Sequence, residues 1–136
     1  HPEFVPDCKF CYPNIKPRII KGTDTGTMIA IKDGYPVTEG HTLVIPKKPY
    51  DEIFAMPEEE YDALWKAARL VAHHLERRTG CRRVVVVILG YEIAHVHIHL
   101  MPTNELEDFP FPPVDDAAQA KLVDTAGRLA WDGNRR

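Results

Sequence analysis

The 136-residue sequence predicts an α+β fold, an antiparallel sheet with helices packed on it. Two observations carry this. Short apolar runs, "TMIAI", "HTLVIP", "RVVVVILG" and "HVHIHLMP", have the length and β-branched content of strands. One longer segment, Pro57 to Gly80, has helical periodicity. The coarse order is β-β-α-β-β-α.

The first 26 residues mix Pro, Gly and polar groups and read as an arm or small hairpin. Thr27 to Ile31 is a short strand. "KDGYP" is a turn punctuated by Gly34 and Pro36. His41 to Pro46 is the next strand, closed by Pro46. In the helix, Pro57 suits the first turn and Glu58, Glu59 and Glu60 complement the dipole. Tyr61, Leu64, Trp65, Ala68, Ala72 and Leu75 form one buried stripe, and Arg77, Arg78 and Gly80 close the helix. "RVVVVILG" and "HVHIHLMP" follow as adjacent antiparallel strands joined near Gly90. "EDFPFPPVDD" is stiffened by its prolines. A final helix is expected from Asp115 or Asp116, with Leu122, Val123, Ala126 and Leu129 on it.

The length suits one domain, 1–136: an arm (1–26), a core of sheet and helix (27–102), and a Pro-rich segment with the last helix (103–136). Hydrophobic residues at 44% and charged residues at 27% are ordinary for a soluble protein. A net charge of -3 argues against a protein that wraps nucleic acid, but leaves room for a small phosphorylated ligand. No apolar run approaches the ~20 residues that cross a bilayer. The three cysteines, Cys8, Cys11 and Cys81, are too few for a secreted disulfide scaffold and point to the cytoplasm. The opening "HPEFVPD" has no charged-then-apolar signal pattern.

Three of the seven histidines, His95, His97 and His99, fall within five residues. On a strand they share one face, and Val96, Ile98 and Leu100 share the other, which reads as core. At ~3.3 Å per residue the outer two lie roughly 13 Å apart, too far for all three to hold one ion with bonds of ~2.0–2.1 Å. Imidazole titrates near neutrality, so the cluster suits acid/base work or an anion site. A neutral imidazole nitrogen is also a nucleophile toward phosphorus, and no serine or cysteine is paired with it. Phosphoryl or nucleotidyl transfer fits better than acyl transfer.

"HVHIHLM" fits His-φ-His-φ-His-φ-φ and resembles the signature of the histidine triad (HIT) family. "KDGYPVTEGHTLVIPKKPYDEIF" (Lys32 to Phe54) is similar to the family's second block, and "CKFC" and both helices follow its order. The resemblance runs from about Cys8 to the end. It implies a HIT-like fold, with a sheet of about five strands and two main helices, in a homodimer that joins the sheets. It implies attack of His97 on the α-phosphate of a nucleotide, through a nucleotidyl-histidine discharged by water or another phosphate. It places His99 and His41 at the phosphates and has the backbone carbonyl of His95 orient the nucleophile. Asp33 falls at the ribose hydroxyls and Ile31 at the base. Turn chemistry at "DG" also explains Asp33, and a plain strand start also explains His41.

Tyr91 and Glu92 stand where many members carry an amide and a hydroxyl on phosphate, so substrate choice is expected there. Cys8 and Cys11 suit two zinc thiolates, and the resemblance adds His95. Pro49 stands where the usual further histidine would be, with Asp51 or Glu52 as a substitute; free thiols are the alternative. Such a zinc would be structural, and the chemistry would need no cofactor. His73 and His74 read as surface residues, Lys47 and Lys48 as steering charges or a solvated pair, and Trp65 and Trp131 as packing residues, the latter at a dimer contact. The rival to a nucleotide hydrolase or transferase is a weakly active nucleotide- or zinc-binding regulatory module.

Overall fold

The computed structural model describes residues 9–10, 19–20, 28–33 and 35–133. Strands β1 (Met28–Lys32), β2 (Thr42–Pro46), β3 (Arg83–Val87) and β4 (Ile98–Thr103) form one antiparallel sheet in the order β1-β2-β4-β3. The expected α+β class is the observed one. The described sheet has four strands where about five were expected.

Helix α1 (Glu58–Thr79) lies between β2 and β3 in the chain. Its first turn holds three glutamates, and Gly80 ends it in the left-handed region (φ 68°), its N–H donating to the Glu76 carbonyl. Its buried residues are Leu64, Ala68 and Leu75, with Tyr61, Trp65 and Ala72 half-buried, so the expected stripe is the packing face. It packs with Val44, Val96, Ile98 and Leu100 in one core cluster. The opposite face of the sheet carries Leu43 and Ile45, which cluster with Phe10.

The triad strand is shorter than expected. β4 begins at Ile98, so His95 and His97 precede the ladder. The cause is Pro46. The β2–β4 register pairs Val44 with Ile98, and continuing it would set Pro46 opposite Val96. Pro46 has no N–H to give. The Val96 N–H donates instead to the Tyr50 carbonyl, at 2.7 Å. The alternation still holds in outcome: Val96, Ile98 and Leu100 are all in the α1 core.

The single final helix is replaced by two short ones, α2 (Asp116–Ala120) and α3 (Leu122–Arg128). Asp115 caps α2, accepting from the Ala117 and Ala118 N–H groups. Leu122, Val123, Ala126 and Leu129 are exposed, so no buried stripe forms against the described residues. Five- and seven-residue helices offer about two turns at most, and Pro110, Pro112 and Pro113 hold the chain extended before them. Trp131 is likewise exposed (81%) rather than packed. No helix among the described residues is long and apolar enough to cross a membrane.

Candidate active site

Four histidines from two strand regions meet on the sheet face opposite α1. His41 stands just before β2, and β2 pairs with β4 through Leu43 and His99. This pairing brings His41 within reach of His99, whose Nδ1 lies 2.9 Å from the His41 Nε2. The His99 and His97 rings are 5.0 Å apart between centroids. His95 is fully buried and turns away, its Nε2–H donating to the Pro46 carbonyl at 2.8 Å.

The tautomers follow from the partners. A carbonyl only accepts, so His97, whose Nδ1 is 2.7 Å from the His95 carbonyl, carries its proton on Nδ1. Its Nε2 then holds the lone pair. A backbone N–H only donates. The Val37 N–H reaches His41 Nδ1 at 3.1 Å, so the proton of neutral His41 sits on Nε2.

Burial sets the charge state. It pushes all four histidines below their ordinary 6.5, because water no longer solvates the imidazolium. For His99, burial acts with neighbouring His97 and His41, against the carboxylate of Asp33, and brings it down to about 4. His97 is lowered by burial, opposed by the His95 carbonyl and Asp33. At pH 7 the four imidazoles are neutral, and each carries one N–H and one lone pair.

Asp33 completes the group. Its Oδ2 lies 3.4 Å from His41 Nε2, and its Oδ1 accepts from the Tyr35 N–H at 2.7 Å. Asp33, His41 and His99 approach within 4.8 Å of one another, close enough to share an ion by distance alone. Ile31 pairs with Leu43, which pairs with His99, so the three occupy one cross-strand row.

His97 also opens on a cleft of about 370 Å³. Asp51, Glu52, Phe54, Ile88, Leu89 and Gly90 are among its lining residues. Tyr91 and Glu92 are not brought there; both are exposed, and Ile93 turns inward to the Phe10, Leu43 and Ile45 cluster in their place. Phe10 is a contact that the motif reading missed. It is buried and sits 4.6 Å from the His97 ring, edge to face. The signal was an aromatic residue between the two cysteines of "CKFC". Asp51 and Glu52, expected only as substitute metal ligands, line this cleft together with His97.

The expected zinc set is represented among the described residues by His95 alone, since Cys8 and Cys11 lie outside them. The His95 Nε2–H is directed to Pro46, so that nitrogen is no metal donor in this arrangement. Pro49 is buried, and Asp51 and Glu52 line the His97 cleft.

Comparison with known proteins supports the fold and the family. A HIT-like protein of Methanocaldococcus jannaschii is 32% identical over 83 residues, covering 57% of this chain and 64% of that one. An adenylylsulfatase of Arabidopsis thaliana is 27% identical over 111 residues, covering 73% of this chain and 53% of that one. The chain thus spans between half and two thirds of these relatives' lengths. A crystal structure of a HIT family protein from Bacillus anthracis superposes with a TM-score of 0.70 at 26% identity, covering 93% of this chain and 97% of that one. Residues 17–106 match the HIT domain, two thirds of the chain, and the protein belongs to the HIT family.

Proposed function

We propose that this protein hydrolyses or transfers a nucleotidyl group, acting on the α-phosphate of a purine nucleoside 5'-phosphate derivative. The candidate substrates are a phosphoramidate, an adenylate and a dinucleoside polyphosphate. The observation that carries the reading is the 2.7 Å bond from His97 Nδ1–H to the His95 carbonyl, which aims the lone pair outward on Nε2. In the first step Nε2 bonds to phosphorus as the bond to the leaving group breaks, and the leaving group takes a proton from solvent water. In the second, water attacks phosphorus, the P–N bond to His97 breaks, and a nucleoside monophosphate is released. Neutral imidazole N–H groups stabilise the phosphate oxygens as charge builds. Asp33 accepts from the ribose hydroxyls, and Ile31 borders the base. The adenylylsulfatase relative supports an adenylate as one substrate.

His97→Ala is expected to lower turnover of adenosine 5'-phosphoramidate and diadenosine polyphosphates roughly a thousandfold or more while nucleotide binding persists. Undiminished turnover would sink the assignment. The carboxylates of Asp51 and Glu52 beside His97 favour a second reading, a nucleotide-binding module of low activity, because they oppose a polyanion. Tight AMP binding without turnover of any of these substrates would support it. A sheet-joining homodimer and a structural zinc on Cys8 and Cys11 belong to the same proposal. Metal analysis of protein purified without added zinc tests the latter, and a stoichiometry near zero removes it.

A further inference from the structure

The Asp33, His41 and His99 cluster has the spacing of a metal site and the hydrogen bonding of something else. A metal on His41 Nε2 needs that nitrogen unprotonated, and a metal-bound histidine normally donates from its other nitrogen. Here His41 Nδ1 accepts from the Val37 N–H at 3.1 Å. The proton is thereby held on Nε2, 2.9 Å from His99 Nδ1 and 3.4 Å from Asp33 Oδ2. His99 Nδ1 must then accept, which leaves its own proton on Nε2.

We propose that the backbone N–H of Val37, acting through His41, holds His99 as the Nε2–H tautomer, so that His41 is a positioning residue and not a metal ligand. The inference rests on the proposed reaction only for its consequence: His99 then offers phosphate a hydrogen-bond donor rather than a repelling lone pair. The source of the order is a main-chain group in the connection between β1 and β2, just before the Thr38–His41 turn. The His41 N–H donates to the Thr38 carbonyl at 3.1 Å, tying this turn to the histidine that reads it.

Two-bond nitrogen–proton NMR spectra of the full chain at pH 7 read each tautomer directly. His41 and His99 are expected as Nε2–H and His97 as Nδ1–H; an Nδ1–H or doubly protonated His41 overturns the inference. Val37→Pro removes the donor, and the His99 signals are expected to move to a tautomer mixture; unchanged signals count against it. Because proline could disturb the turn, His41→Gln provides a second measurement. Its amide accepts from Val37 and donates to His99, so kcat is expected to stay within a few-fold of the parent, whereas His41→Ala loses about tenfold in kcat with little change in KM. Equal loss in both variants overturns the inference. Cobalt titration of the Cys8→Ser/Cys11→Ser chain is expected to give no tetrahedral absorption band that depends on Asp33. A band abolished by Asp33→Asn identifies a metal site and overturns the proposal. If His97→Ala stays active the proposed reaction fails, while the nitrogen spectra and the cobalt titration test the tautomer assignment independently of turnover.

Discussion

What each histidine of the cluster can offer is decided by the partner of its ring nitrogens. His97 and His95 both meet carbonyls, through Nδ1 and Nε2 respectively. Their ring protons therefore sit on different nitrogens, although they are two residues apart on the same motif. Phe10 adds a packing control. It shields His97, and burial is what lowers that histidine. Phe10→Ala is expected to admit water and let the His97 pKa climb toward 6.5. The acid limb of the pH–rate profile then moves to higher pH, and an unmoved limb would show that Phe10 only packs. The triad and His41 were legible as short motifs. Phe10 was not, because its contact with His97 crosses most of the chain.

The element that positions His41 is the turn entering β2. Gly40 has φ +91°, which side-chain-bearing residues rarely adopt, and an added Cβ would lie 3.2 Å from Pro102 Cγ. Its carbonyl accepts from the Thr42 hydroxyl at 2.8 Å. Gly40→Ala is expected to cost about 1–3 kcal/mol in denaturant unfolding and to lower kcat by displacing His41. An unchanged unfolding midpoint would contradict this. Helix α1 supports the sheet from the other side through Leu64, which is fully buried. Leu64→Ala should lose about 2–5 kcal/mol, checked in the same way. The α1 stripe was legible because the 3.6-residue period is local. The end of the triad strand was not, because it depends on which residue of β2 faces Val96.

For the molecule as a whole, the buried neutral histidines couple stability to pH. Folded His99 takes a proton only at about 4, while an unfolded histidine takes it near 6.5. Between those values the unfolded chain binds more protons, so acidification favours unfolding. The melting temperature is expected to be flat above pH 7 and to fall from about pH 6.5 toward pH 4. His99→Gln should flatten part of that fall; an identical slope in the variant would remove His99 as a cause. The proposed dimer belongs to this scale too. β3 is an edge of the described sheet, with Val86 45% exposed on it. Sedimentation is expected to give twice the 15.5 kDa chain mass, and a monomer at micromolar concentration would rule the dimer out.

The sequence by itself determined the α+β class, the face of α1, the core side of the triad segment and the family. Those rest on periods of 2 and 3.6 residues and on short motifs, all local in the chain. The tertiary structure alone decided that the triad strand starts at Ile98, that His95 turns to Pro46, and that the last helix breaks in two with no face buried among the described residues. It also decided the ring protons. His41 and His99 are 58 residues apart, and the His41 tautomer depends on a main-chain N–H at Val37. A histidine's chemistry is set by what each nitrogen touches, and those partners come together only when the strands pair.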